Sequence, residues 1–151
     1  TPCISDPGFK LTNLVVQHNR ATQQPNDKIT IIPIPGASAV TTLVSGSGFP
    51  SDKFTFLGFL PHKKGRQTIL KSLNVTDHCV IFYESVHRFE KMLKELSEFV
   101  GPNRFICVGR ELTKMYEEIF RGTVTQAQDN FTAENTKGEF VVMVAPEKFK
   151  I

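Results

Sequence analysis

Residues Lys28–Gly48 read KITIIPIPGASAVTTLVSGSG, and the fold turns on how this stretch is parsed. An apolar β-branched run, Ile29–Ile34, leads into Pro35-Gly36, then into the small residues Ala37-Ser38-Ala39 and an apolar helix start. β-Branched side chains favour an extended chain, and a Pro-Gly pair favours a tight turn. Ser38 is a natural helix N-cap. A strand that feeds through a glycine turn into a helix N-terminus is where α/β proteins hold ligands, because unpaired N–H groups and the helix dipole converge there. Many such joints bind nothing, so the pattern alone offers a candidate and no more.

Upstream, Thr1–Gly8 (TPCISDPG) reads as a loop, since Pro2, Pro7 and Gly8 deny it a helix interior. Ser5-Asp6 are placed to cap the next helix. Leu11, Leu14, Val15 and His18 fall at helical spacing, which predicts an amphipathic helix over about residues 10–22. Gln23–Asp27 is a polar turn with the look of a surface insertion. Downstream, Ser45–Ser51 reads as a linker, which divides the chain into residues 1–52 and 53–151.

Beyond the linker, Phe54, Phe56 and Phe59 sit near strand alternation, with Gly58 permitting a bulge. A basic loop, His62-Lys63-Lys64-Gly65-Arg66, opens a helix carrying Ile69, Leu70 and Leu73. Cys79–Tyr83 is a buried strand. Phe89, Met92, Leu93, Leu96, Phe99 and Val100 keep a helical period up to the stop Gly101-Pro102-Asn103. Phe105–Val108 is a strand, Ile119 and Phe120 a short apolar stretch, and Thr123 or Thr125 a cap for a helix reaching Phe131. Lys137-Gly138 turns into a last strand, Glu139–Ala145. The order from residue 53 is βαβαβ(β)αβ, a complete small α/β domain. Residues 1–48 carry a single strand of a parallel sheet, whose partners must come from elsewhere.

The bulk properties are those of an ordinary globular chain: 151 residues, 40% hydrophobic, 22% charged, net charge +3. Mild basicity permits a polyanionic partner without demanding one. The three cysteines, Cys3, Cys79 and Cys107, are far apart and form no C-x-x-C, so they read as reduced thiols and not as a disulfide framework or a metal site. The sequons at Asn74 and Asn130 read as chance matches. No apolar run approaches the ~18 residues of a membrane span. Thr1 opens in a loop, which reads as a cut through a larger protein.

Chemistry concentrates in four clusters at strand ends or loops: TPCISDPG with Asp6, PGASA, Tyr83-Glu84-Ser85-Val86-His87-Arg88, and Arg110-Glu111-Leu112-Thr113-Lys114. An Arg offers a planar fork to phosphate, and a Glu or Lys of shifted pKa can act as a base. The same groups serve equally as a structural ion-pair network, Glu84 with Arg88 and Glu111 with Lys114. The loop at Lys63, Lys64 and Arg66 resembles a phosphate-contacting loop.

TPCISDPG, IPGASA, SGFPSDKFTFLGFLPHKKGR, FYESVHRF, RELTKMYEEIFRGT and KGEFVVMVAP follow one another here as in the small-subunit rRNA methyltransferases of the tetrapyrrole methylase superfamily, which the chain resembles over nearly its whole length. It departs from their pattern at Cys3, Ala37 and Val86 and in the insertion near Gln23–Asp27. The resemblance implies an α/β fold: a partial parallel-sheet cofactor domain, residues 1–52, followed by a second α/β domain with a mixed sheet, residues 53–151. It implies S-adenosylmethionine as cofactor, folded into a cleft between the domains, and 2'-O-methylation of a cytidine ribose in small-subunit (16S) rRNA. By motif match, Thr1, Pro2, Ile4, Pro35, Gly36, Ser38, Ala39, Glu84, Leu112 and Gly138 line the cofactor. Lys63, Lys64, Arg66, Arg88 and Arg110 face RNA phosphates.

Glu111 and Lys114 are the candidates for a base that activates the ribose hydroxyl. The partners implied are small-subunit rRNA or the subunit itself and a second copy of the chain, with no membrane and no metal. The location implied is cytoplasmic, or organellar in a eukaryote. The family's first strand and its acidic motif lie upstream of Thr1, so the chain alone is expected to bind cofactor poorly and not to turn over. Two other readings stand beside this one: another methyltransferase of the superfamily, or a non-catalytic RNA-binding or dimerising remnant.

Overall fold

The computed structural model describes residues 1, 3–132 and 137–150, and its compact units divide between Ser38 and Ala39. In the second unit, β1 (Phe54–Phe59), β2 (Cys79–Ser85), β3 (Phe105–Arg110), β4 (Glu118–Thr123) and β5 (Glu139–Val144) form one mixed sheet of order β1-β2-β5-β3-β4. β1 runs parallel to β2, and every other pairing is antiparallel. The mixed α/β fold expected from the sequence is therefore present. Gly58 adopts φ 66°, and the β1–β2 register shifts between Phe56 and Phe59, so the bulge forms where the sequence places it.

The central strands are covered on both faces, which is why they read as unbroken apolar runs. Successive residues alternate between two cores. Val80, Phe82, Ile106, Val108, Phe140, Val142 and Val144 pack with Leu70 of α3 (Arg66–Ser72), Phe89, Met92, Leu93 and Leu96 of α4 (Val86–Phe99) and Val124 and Ala127 of α5 (Val124–Asn130). Cys79, Ile81, Cys107, Val141 and Met143 face the other way, against Val40 and Leu43 of α2 (Ala39–Ser47) and Phe49. Burial pushes the Cys79 and Cys107 thiols up to about 11, so both stay protonated at neutral pH. α5 starts on a reciprocal cap, Thr123 with Gln126. α4 stops where Gly101 takes φ 111° and its N–H reaches Leu96 O, 3.0 Å away.

The linker expected over Ser45–Ser51 is not one. Ser45–Ser47 close α2, Ser47 and Phe49 are buried, and Phe49 packs against Phe149 with ring centroids 4.8 Å apart. Arg121 of β4 donates from Nε to Gly46 O (2.9 Å) and also from Nη2, so a cation satisfies the carbonyl end of α2. Small polar residues mimic a linker because a helix end lying against a sheet also needs them.

In the first unit, α1 (Phe9–Ala21) is followed by a short 3-10 turn, Pro25–Asp27. Asn19 clamps Ile29 with both amide atoms: Nδ2 donates to Ile29 O (2.7 Å), and Oδ1 accepts from Ile29 N (2.9 Å). The expected strand at Ile29–Ile34 is not formed, and no tight turn forms at Pro35-Gly36. Among the described residues nothing pairs with the run, Pro33 removes a ladder donor, and Ile32 and Ile34 are 71% and 81% exposed. Apolar β-branched character prepares a strand, but only a neighbour makes one.

Phe89 stacks on Phe140 with centroids 3.9 Å apart and meets Phe131 edge-on at 5.1 Å. Phe89→Ala is expected to destabilise the second unit by about 3–5 kcal/mol, read as a lower denaturation midpoint with an unchanged slope.

Candidate functional site

The first unit brings two of the expected clusters together. Thr1 Oγ1 donates to Ala37 O at 2.6 Å, tying the opening loop to the PGASA segment. Cys3 and Ser5 take positive φ, 69° and 52°, so the loop is tightly wound. Asp6 does not cap α1 as expected. Its Oδ2 accepts from Cys3 N (3.1 Å) and Gly8 N (2.8 Å), and those bonds hold its carboxyl below the usual carboxylate range. Gly8 occupies the cap position without a side-chain bond. Gly36 is exposed with open space where a Cβ would stand, and Ser38 directly precedes α2. Ile4 is exposed, and Pro2 lies outside the described residues.

In the second unit the decisive residue is Glu84, 1% exposed near the C-terminal end of β2. Its Oε1 takes Arg88 Nη2 at 2.7 Å and Ser85 N at 2.9 Å, and its Oε2 takes Arg66 Nη2 at 3.0 Å. Arg66 also reaches Glu95 Oε2 at 2.7 Å and Pro61 O at 3.2 Å. Arg88 also reaches Leu60 O at 3.0 Å. Two arginines and two glutamates thus share one partly buried frame, with exposed Lys91 at its rim, 3.7 Å from Glu95 Oε1.

This bears on the phosphate-facing set at Arg66, which is turned inward. Arg66, 3% exposed, has no face left for RNA, and Arg88 is half-buried in the same frame. Arg110 spends Nε on Lys137 O (2.7 Å) and Nη1 on Glu118 (3.4 Å). Lys63 and Lys64 stand exposed as expected of phosphate ligands, with His62 beside them. Sequence pattern cannot separate an inward Arg from an outward Lys two residues away. Glu95, the frame's second carboxylate, shows in the sequence only as one more helix Glu.

At the end of β3 the chain is strained. Glu111 and Thr113 hold φ 48° and 67°, unusual for residues with a Cβ. Glu111 Oε1 accepts from Glu139 N (2.8 Å) and from Lys114 Nζ (3.0 Å), while Lys114 also pairs with Glu139 at 2.9 Å. Gly138 makes room: a Cβ there would lie 2.5 Å from Glu111 Cγ, and its φ is 113°. Leu112 folds back over Gly109 and is partly buried against the α2-side core.

The bond from Glu139 N and then Lys114 hold the Glu111 carboxyl below its ordinary range, and Glu139 and then Glu111 hold Lys114 above the usual lysine value. A general base at neutral pH gains from the opposite shifts; here the shifts hold both groups in the charged forms that pair with each other. Glu111 and Lys114 fix the turn. What this unit offers a ligand is apolar and backbone surface at Leu112, with the Glu84 carboxylate already committed.

A family model described as Tetrapyrrole (Corrin/Porphyrin) Methylases matches residues 1–128. A relative from Mesorhizobium japonicum named ribosomal RNA small subunit methyltransferase I is 41% identical over 99% of this chain and 49% of its own length. One of the same name from Thermotoga maritima is 39% identical over 95% of this chain and 60% of its own. The chain spans about half the length of most of the curated relatives it matches. Among solved structures, the methyltransferase CobJ is similar with TM-score 0.65 at 22% identity, covering 99% of this chain and 63% of that one. Uroporphyrin-III C-methyl transferase from Thermus thermophilus, complexed with S-adenyl homocysteine, is similar with TM-score 0.57 at 14% identity, covering 97% and 62%. At such identities the likeness is one of fold.

Two outcomes test the strand-end turn. The Glu139 amide chemical shift should titrate with a midpoint below the ordinary glutamate range and lose that transition in Glu111→Gln. A depressed carboxyl contributes to the turn above its unfolded pKa, and the contribution goes as pH falls through the lower folded value. Gly138→Ala should cost about 1–3 kcal/mol in chemical denaturation, because alanine resists positive φ and meets Glu111.

Proposed function

Because this chain belongs to the tetrapyrrole (corrin/porphyrin) methylases, we propose that it serves an S-adenosylmethionine-dependent rRNA methyltransferase acting on the 2'-hydroxyl of a cytidine in small-subunit rRNA. The observation that carries the reading is about 40% identity, over 95–99% of the chain, to proteins named ribosomal RNA small subunit methyltransferase I. The basic loop agrees with it. In this reading residues 1–52 belong to the cofactor domain and 53–151 to the second domain. Thr1, Ile4, Pro35, Gly36, Ser38, Ala39, Leu112 and Gly138 serve the cofactor side, and Glu84 serves it through its backbone.

When bound, S-adenosylmethionine supplies a methyl group on a sulfonium, ready for in-line displacement. Such a reaction gains most from proximity and orientation, and the chain's own contribution is of that kind. The Thr1–Ala37 bond holds the first unit's loop to the PGASA backbone. The Glu111–Gly138 fit holds Leu112 at the end of β3. Lys63 and Lys64 attract the RNA backbone through charge that bears no sequence information. With Glu111 and Lys114 committed to the turn, positioning, and not proton abstraction by this pair, is the part assigned to them.

Calorimetry with S-adenosylmethionine should give little heat for this chain alone and a saturable heat for a longer chain that also carries the family's upstream first strand, and no heat from the longer chain sinks the cofactor assignment. Binding to a small-subunit RNA fragment should weaken with salt, and Lys63→Glu with Lys64→Glu should flatten the log–log slope by about 1.5. An unchanged slope removes the loop from the RNA face.

A further inference from the structure

We propose that Arg66 is a positioning residue that, with Arg88, holds the Pro61–Gly65 loop in the shape in which Lys63 and Lys64 meet RNA phosphates. The loop's purpose rests on the RNA reading above, whereas its geometry does not. Arg66 closes the loop at the first residue of α3 and reaches back to its start, with Nη1 on Pro61 O at 3.2 Å. Its own N–H takes Lys63 O, also at 3.2 Å. Arg88, from α4, takes Leu60 O at 3.0 Å. Two guanidiniums therefore grip consecutive carbonyls at one end of the loop, and one of them belongs to its other end. Between the grips, Gly65 turns the chain into α3 at φ 84°.

The grips are themselves held. Glu84 engages both guanidiniums and Glu95 engages Arg66, with charged contacts of 2.7–3.0 Å. Each planar fork divides between a carboxylate and a carbonyl, a geometry a lysine ammonium cannot copy. Within the frame the two guanidiniums are offset by two carboxylates, whereas Lys63 and Lys64 stand outside it and exposed. Arg66 at 3% exposure acts on RNA only through them. A loop already in its bound shape has less ordering to lose on binding.

The test uses the whole chain and two readouts. Without RNA, Arg66→Lys should raise hydrogen exchange of the residue 66 amide, which donates to Lys63 O across the loop, about tenfold while β2 and α4 keep their protection. With a small-subunit RNA fragment at fixed salt, the same variant should weaken binding about tenfold. It should have little further effect in a Lys63→Ala, Lys64→Ala background, because residues acting through one another are not additive. Arg88→Lys, which releases Leu60 O, should give the same pattern and serves if Arg66→Lys fails to fold. Unchanged exchange in both variants, or an equal loss in both backgrounds, overturns the role while leaving the RNA reading intact. A wild-type chain that binds no RNA overturns that reading and this role with it.

Discussion

A carboxylate without exposed side-chain surface sits near the end of a central strand, and the second unit is built around answering it. Glu84 is fully desolvated, so an unanswered charge there costs several kcal/mol. Arg66 and Arg88 answer it from two different helices, and Glu95 balances Arg66 in turn. The result joins β2, α3, α4 and the loop after β1 through directional bonds, where apolar packing alone is tolerant of sliding. Buried ion pairs add little net stability over apolar residues. What this frame determines is the path of the chain at the loop that exposes two lysines.

The other organised strand end works by steric economy. β3 ends in a turn that forces Glu111 and Thr113 into left-handed backbone, and the Glu111 side chain lies where any Cβ at residue 138 would stand. Lys114 then ties Glu111 to Glu139. Charge, strain and a missing side chain are concentrated within one turn, while the sheet behind it is regular. Local strain of this kind persists only where surrounding structure over-determines it, and here two salt bridges and a β5 amide do so.

Among the described residues the first unit is organised by polar clamps, and none of its apolar side chains joins a buried core. Asn19 fixes Ile29, Asp6 winds the opening loop and Thr1 reaches Ala37. α1 buries none of its side chains, and the isoleucines beyond it stay largely exposed. The second unit shows the contrast: with neighbours on both sides, equally apolar runs at Cys79–Phe82 and Phe140–Val144 vanish into two cores.

Much of this was legible in the residues. Alternation and helical period placed four of the five strands of the second unit and their order with the helices, because each carries its own apolar face, while β4 showed only as the short apolar stretch at Ile119 and Phe120. Gly58, Gly101 and Thr123 marked a bulge, a stop and a cap, since those signals are local chemistry. Ser45–Ser51 misled, because smallness and polarity describe both a linker and a helix end pressed on a sheet. Ile29–Ile34 misled in the opposite sense, because strand propensity is half of a pairing. The basic loop was read correctly as a cluster and wrongly as a surface: Lys63 and Lys64 point out, while Arg66 points in. Composition determined which charges this protein owns and which elements it forms. Tertiary structure alone decided which charges face one another, because a guanidinium is drawn inward by a desolvated carboxylate eighteen positions away, and nothing in the spacing of a sequence records that meeting.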